Sequence, residues 1–434
     1  MRALALWPLL AARVAGAAPL PAADSTSATG GTVLHLEDAL RMSLRGNWDL
    51  RSAGSAVAIA EAGVRAARTL VNPAVAVATS KIHVDGRGDA TPLGNDLWSR
   101  GYDTVAQLGQ LIEIGGKRAA RTGSARATAE GAGARLADAR RRLAEETVRA
   151  YAGAALAEAN ARIARESAGY LRDEARIAAV RWTAGDISSS DRDQIEIAAS
   201  RLELDASAAV AEARAQRLAL GMLLGLTGPA ADVIVADSLE ALAERPDIVT
   251  GPIPSGERAD LASARADLRR AESELRLQRA QRIPDPTLVA QFEHAPPDRP
   301  NSVGVGIALP LPLWNWNRGA IAAARAARDD AALAVERIEA QVASDRLTAR
   351  VRYEEASARW RRCRDDLRPR SESVRRTVSL AYEKGGASLL DLLQAQRNDN
   401  DIRLASMQAA SDAAVAAAAL AAAYQPMSPE STRP

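Results

Sequence analysis

Asp191 and Asp391 hold the same place in two similar stretches, WTAGDISSSDRDQ (Trp182–Gln194) and YEKGGASLLDLLQ (Tyr382–Gln394). Gly385 follows Gly185 by 200 positions, and each aspartate lies six residues after its glycine. A serine precedes each aspartate by three, and Ser-x-x-Asp fits a capping box at a helix start. Glycine supplies the backbone conformation that reverses a chain sharply, and Gly185 and Gly385 are placed to do so. An aromatic residue, Trp182 or Tyr382, stands three positions before each glycine. Elsewhere the chemistry is sparse. His35, His83 and His294 are far apart, and Cys363 is the only cysteine, so no internal disulfide and no Cys/His zinc cluster is expected. His83 and His294 lie near expected loops, where isolated histidines are seldom ligands. No phosphate loop, GxSxG elbow or HExxH motif is present, and no catalytic set converges. The sequence predicts neither an enzyme nor a cofactor or metal site.

Stepping from these residues to their carriers, the chain reads as one plan written twice: helix, strand pair, very long helix, tight turn, long helix. The first helix is expected from Leu36 to Leu70 and its counterpart from Glu257 to Arg282, each stopped by proline. PTLVAQFEH places Leu288, Ala290, Phe292 and His294 on one face, and SVGVGIALPL places Val303, Val305, Ile307, Leu309 and Leu311 on one face. Tyr102, Thr104, Ala106 and Leu108 alternate in the same way, and AVAVATSKIHV is the weakest of the four strands. Each is near the ~9–11 residues that cross a bilayer as a tilted strand. Four strands cannot close a barrel alone, and lipid tolerates no open edge. Several chains must therefore pool them if they span a membrane; the alternative is two soluble hairpins packed on helices. Trp314 and Trp316 follow the last strand, which favours a membrane-interface position over ordinary packing. Lys117, Arg118 and Arg318 lie at the equivalent junctions, where they either meet lipid phosphates or are simply solvated.

From Gly116 to Trp182 there is no proline, enough for a helix roughly 100 Å long. Leu156, Ile163, Tyr170 and Ile177 recur every seven residues, as do Tyr353, Trp360, Leu367, Val374 and Ala381. That spacing indicates a left-handed coiled-coil seam, kinked at Pro369. Charged residues make up 25% of the 434 and the net charge is only +2, with both signs interleaved, which argues against a nucleic-acid patch. Aromatics are 3%, so close packing through alanine is expected rather than an ordinary core. Residues 1–17 read as an export signal ending at Ala15-Gly16-Ala17, the competing reading being an unstructured tail. No cysteine follows the apolar stretch, so lipid attachment is not expected there. No later segment is apolar for long enough to predict a transmembrane helix.

GIALPLPLWNWNRGAIAAARA (Gly306–Ala326) and QLGQLIEIGGKRAAR (Gln107–Arg121), with the two glycine turns, resemble the outer membrane efflux protein (TolC) family. The resemblance covers nearly the whole mature chain. Glu113 and Gly115-Gly116-Lys117-Arg118 are similar to its heavy-metal cation efflux branch. The fold this implies is mainly α with membrane β: a trimeric twelve-stranded outer-membrane β-barrel, four strands per protomer, continued by a long periplasmic α-helical barrel. The implied organisation is a signal peptide (1–17), a flexible segment (18–35), a first repeat (36–224, strands about 74–112), an equatorial connector (225–255), a second repeat (256–424, strands about 287–311) and a disordered tail (425–434). The implied function is a passive exit duct for metal cations. Its implied partners are two further copies, a periplasmic membrane-fusion adaptor, an inner-membrane resistance-nodulation-division pump and outer-membrane lipid. Asp391 and Asp191 would then ring the pore entrance, where negative charge favours cations. Gly185, Gly385, Tyr382 and Trp182 would meet the adaptor. Competing readings are a channel for drugs or type I protein secretion and, in another class, a soluble periplasmic coiled-coil adaptor. The latter should carry a lipoyl-like β domain beside one helical hairpin, whereas this chain has two separate strand pairs.

Overall fold

The computed structural model describes residues 32–80, 103–244, 256–295 and 299–427. In chain order, β1 (Val33–Leu34) leads to α1 (Leu36–Gly46), α2 (Trp48–Arg68), β2 (Ala74–Ser80), β3 (Asp103–Leu111), α3 (Lys117–Thr183) and α4 (Ser189–Leu223). A 3-10 turn (Gly228–Ala231), β4 (Ile234–Val235) and α5 (Leu239–Ala243) bridge to the second half. That half holds α6 (Ala259–Ala280), β5 (Thr287–Ala295), β6 (Arg299–Ala308), α7 (Arg318–Arg362), a π turn (Cys363–Leu367), α8 (Arg368–Glu383) and α9 (Leu389–Tyr424).

The helix expected over Leu36–Leu70 is broken at Asn47. The Asn47 side chain accepts from the Asp49 and Leu50 N–H groups at 3.0 and 3.1 Å, capping a new helix. Its Nδ2 donates to the Leu223 carbonyl at 3.1 Å. A Cβ on Gly46 would stand 2.4 Å from the Leu224 carbonyl oxygen. The break thus lets the end of α4 pass backbone to backbone, which periodicity alone does not reveal.

Strand order in the sheet is β2-β3-β5-β6, every pair antiparallel. Val75 lies opposite Leu108, Leu108 opposite Ala290, and Ala290 opposite Val305. Side chains alternate along a strand, so this register gathers Val77, Phe292, Val303 and Ile307 onto the same face. The other face carries Ala76, Gln107, Gln291 and Gly304, matched across the strands. The apolar face is open: Val305 is 92% exposed. Pairing in β6 stops at Ala308, short of the expected Leu311, because Pro310 and Pro312 have no N–H to donate. Residues 81–102 and 296–298, including His83 and Tyr102, lie outside the described residues. His294 is buried and its Nδ1 lies 3.1 Å from the Asn301 side chain.

Helix α3 alone has 67 residues, about 100 Å at 1.5 Å per residue. It packs on α2, α4, α6 and α9. The core between them is built of small side chains, Ala152, Ala154, Ala409 and Ala410 among them, around the fully buried Tyr151. Small residues let backbones approach closely, which explains how a chain so poor in aromatics closes a core. The heptad seam is closed at Ile163 and Trp360 but open at Tyr170, Ile177 and Val374. The kink expected at Pro369 is taken up just before it. Arg368 N–H bonds five residues back to the Cys363 carbonyl, making a π turn where proline cannot continue the ordinary pattern. Cys363 is buried there. Helix α9 corrects another expectation: by length and composition it is apolar enough to cross a membrane, yet half of that window is buried inside the protein. Its alanines raise the mean hydropathy, and their burial comes from packing against α3, α7 and α8.

Two segments expected to lack structure are partly built. β1 pairs in parallel with β4, Val33 with Ile234 and Leu34 with Val235. Met427 N–H donates to the Glu257 carbonyl at 2.9 Å, anchoring the start of the expected tail. Asp237 clamps the β1–β4 pair, accepting from Leu36 N–H at 2.8 Å and lying 2.8 Å from His35 Nδ1 and 3.0 Å from Tyr151 Oη. The Asp237 carboxylate raises the His35 pKa, chiefly through that hydrogen bond. A raised folded pKa means the stabilisation is complete below the unfolded value near 6.5 and is lost as pH rises through the folded pKa. Thermal stability should therefore fall as pH rises above about 6.5, and His35→Gln should flatten that slope. An unchanged slope in His35→Gln would remove His35 from the clamp.

Candidate functional site

Two regions gather the residues singled out by sequence: the paired helical turns and the strand-to-helix junctions. At both turns the backbone ends one helix and starts the next in the same way. Gly185 and Gly385 have φ of 84° and 76°, the left-handed region that glycine enters without cost. Gly185 N–H donates to the Trp182 carbonyl and Asp186 N–H to the Arg181 carbonyl. Gly385 and Gly386 repeat the pair with Tyr382 and Ala381. These are Schellman closures, and they satisfy carbonyls that a helix end leaves unpaired. Ser188 and Ser388 then cap α4 and α9, accepting from Asp191 and Asp391 N–H at 3.1 and 3.2 Å.

Only the second turn completes the reciprocal bond. Asp391 Oδ2 accepts from Ser388 N–H at 3.0 Å and from Ser388 Oγ at 2.6 Å. Those bonds hold the Asp391 carboxyl below the usual carboxylate range. Its Oδ1 has no partner among the described residues, so one carboxylate both caps α9 and presents charge to solvent. Asp191 lies equivalently, bonded to Ser188 Oγ at 2.9 Å, but without the backbone half of the box.

The aromatic pair is not equivalent. Trp182 is exposed, with the Arg192 guanidinium 4.2 Å from its ring centre. Tyr382 is only 8% exposed and lies under Arg181 of the other hairpin. It ties the two hairpins together, so the expectation that it offers a contact surface is corrected. Sequence reasoning also missed a buried network behind the second turn. Asp399 accepts from Ser371 Oγ at 2.9 Å and Arg375 Nε at 3.0 Å, and Arg375 lies over the Tyr170 ring. Nothing in the spacing of Asp399, inside the polar run Arg397–Asp401 of α9, marks it as buried.

At the junctions, α3 and α7 both begin from left-handed residues, Gly116 at φ 79° and Asn317 at φ 56°. Asn317 is the only non-glycine with positive φ among the described residues. Its Nδ2 donates to the Gln278 carbonyl at 2.8 Å, which holds that conformation. Lys117 is not at a lipid or water surface as expected. It is 8% exposed, donating to the Ile283 carbonyl at 2.6 Å and paired with Asp285 at 2.7 Å. Asp285 also accepts from Ile114 N–H at 2.9 Å. Arg121 pairs with Glu113, 3.0 Å from Nη2 to Oε2, and donates to the Ala67 carbonyl at 3.1 Å. Arg118, Arg318, Trp314 and Trp316 are exposed, Trp314 at 91%.

A sheet with one open apolar face, carried on helices of up to about 100 Å that reverse through two matched turns, defines a protein with a membrane-embedded sheet and a long helical stalk. The chain belongs to the outer membrane efflux protein family, whose model matches residues 39–226 and 255–424. It is similar to the cobalt-zinc-cadmium resistance protein CzcC of Cupriavidus metallidurans, 25% identical over 375 residues, 84% of this chain and 83% of that protein. Among solved structures, CusC aligns with a TM-score of 0.75 at 17% identity, covering 90% of this chain and 92% of that one. The outer membrane protein VceC of Vibrio cholerae aligns at 0.71 and 20% identity, covering 90% and 95%. The protein is thus an outer-membrane component of the efflux type, its sheet in the membrane and its helices beneath.

Proposed function

We propose that the chain is one of three identical subunits of a passive exit channel, and that this channel releases heavy-metal cations delivered by an inner-membrane pump through a periplasmic adaptor. The observation that carries the reading is the sheet: its outward face is apolar and exposed, and β2 and β6 each present an unpaired edge. Lipid forbids such edges, and three copies joined β6 to β2 would close a twelve-stranded barrel with none. The metal cargo follows the likeness to a cobalt-zinc-cadmium resistance protein. Trp182 and the Gly185 and Gly385 turns are the proposed adaptor-facing tip. Detergent extracts of outer membrane should yield heat-modifiable trimers that conduct in planar bilayers; recovery only as soluble protein would overturn the channel. A deletion strain should lose tolerance to zinc, cobalt or cadmium, and unchanged tolerance would overturn the cargo.

Asp391 is the proposed gate residue, with Asp191 beside it, three copies of each ringing the entrance. Asp391→Asn keeps a capping acceptor and removes the charge, whereas Asp391→Ala removes both. Conductance or cation block should change in both variants, and thermal stability should fall mainly in Asp391→Ala. The depressed pKa fixes the pH window: the charge and its cap persist down to about pH 4 and are lost as pH falls through the folded pKa. Unchanged conductance and block in both variants would leave Asp391 as a cap alone.

A further inference from the structure

Four helix ends meet at one level beneath the sheet. Arg121 of α3 reaches the Ala67 carbonyl near the end of α2, Lys117 reaches Ile283 just past α6, and Asn317 before α7 reaches Gln278 of α6. Each end carries an exposed arginine: Arg68 in the last turn of α2, Arg118 at the start of α3, Arg282 just past α6 and Arg318 at the start of α7. None of the four makes an ion pair among the described residues. The two acids of this level, Glu113 and Asp285, are turned inward and consumed by Arg121 and Lys117. Neither α3 nor α7 has an acid in its first turn, although carboxylates there favour the helix dipole and arginines oppose it. Arg68 and Arg282, at helix C-termini, are offset only by the helix dipole, and Arg118 and Arg318 lack even that. The protein therefore concentrates positive charge without carboxylate partners here, next to Trp314, Trp316 and the open apolar face.

We infer that this collar binds the phosphate headgroups of anionic glycerophospholipids in the leaflet facing the periplasm. The inference rests on the channel reading and adds the lipid class that the channel selects. Continuity of the surface selects the partner. Hydrocarbon covers the Val305 face, tryptophan sits at the polar boundary, and the next layer met along the protein is the headgroup phosphate. A guanidinium at that layer is satisfied bidentately by phosphate, and neither the zwitterionic choline headgroup nor water supplies a net negative charge to offset four arginines. Repeated three times about the proposed axis, the collar would present a continuous basic ring.

Native mass spectrometry of the full-length trimer in neutral detergent, titrated with phosphatidylglycerol or phosphatidylcholine, tests it. Phosphatidylglycerol should bind about tenfold more tightly at low salt. The preference should shrink as ionic strength rises from about 0.05 to 0.5 M, because exposed charges are then screened. The variant Arg68→Gln/Arg118→Gln/Arg282→Gln/Arg318→Gln should lose the preference while still forming trimers that conduct. Equal binding of the two lipids by the wild type, or a preference unaffected by salt, would overturn the collar even if the variant failed to fold. Tighter binding of lipopolysaccharide than of phosphatidylglycerol would overturn the leaflet assigned. A conducting trimer with no preference defeats the collar alone, whereas a protein that forms no trimer defeats the channel reading beneath it.

Discussion

Val305→Arg is expected to abolish trimer formation, while Gln291→Arg leaves it largely intact. Val305 sits in the middle of β6 on the open apolar face, and Gln291 points to the opposite face of the neighbouring strand. In the proposed barrel the first position meets lipid and the second meets the lumen. An arginine on the lipid face near the bilayer middle costs about 2–4 kcal/mol, and the cost falls on every protomer. About 1.4 kcal/mol is a factor of ten, so each protomer's folding equilibrium constant would drop by roughly 30- to 1,000-fold, and a trimer takes that loss three times. The lumen face already holds glutamines and glycines, and water can solvate an added charge there. The yield of heat-modifiable trimer from outer membrane, with urea midpoints in detergent, measures both. Equal damage from the two substitutions would mean that the sheet is not one-sided, and the barrel reading would fall.

The one-sidedness was legible because strands write their environment with a period of two. Once Leu288, Ala290 and Phe292 alternate against Val289, Gln291 and Glu293, no other register buries or exposes a consistent set. The turns were legible for a related reason. A left-handed residue and an N-cap are local devices, and Gly185, Ser188 and their second-half twins carry them within a few positions. What the sequence hid was long-range. Asn47 breaks the first helix because α4, more than 170 residues away, needs the space. Tyr382 and Trp182 hold the same place in their turns, yet one ties two hairpins together and the other is exposed. Repeats preserve local chemistry and say nothing of which copy faces a neighbour.

Lys117 is the clearest case of this limit. Its place at a membrane junction, beside Arg118 in a basic motif, predicts a surface cation. The deciding fact is Asp285, two residues beyond Ile283 in the other half of the chain, between the prolines that end α6. Only the fold brings that carboxylate to 2.7 Å. With its charge absorbed, Lys117 serves as a peg between the two repeats, and Arg118 is left to face outward.

Asp285→Ala should therefore be the more damaging of the two substitutions at this pair, by about 3 kcal/mol. Removing one partner of a buried pair strands the other, and such losses run to about 3–5 kcal/mol. The lower end applies because both side chains keep slight exposure, 10% for Lys117 and 16% for Asp285, and because Lys117 retains the Ile283 carbonyl. Ile114 N–H also loses its acceptor, which exposes the link between β3 and α3. Lys117→Met should cost less, since Asp285 keeps that N–H and the methionine fills the same channel between the halves. The double variant Lys117→Met/Asp285→Ala separates charge from packing. If the stranded cation is the main penalty, the double variant should be more stable than Asp285→Ala alone, a coupling of about 1–3 kcal/mol. Strict additivity would mean that the two side chains act independently. The pair would then be incidental to the junction, and the joining of sheet to helices would rest on Asn317 and Arg121.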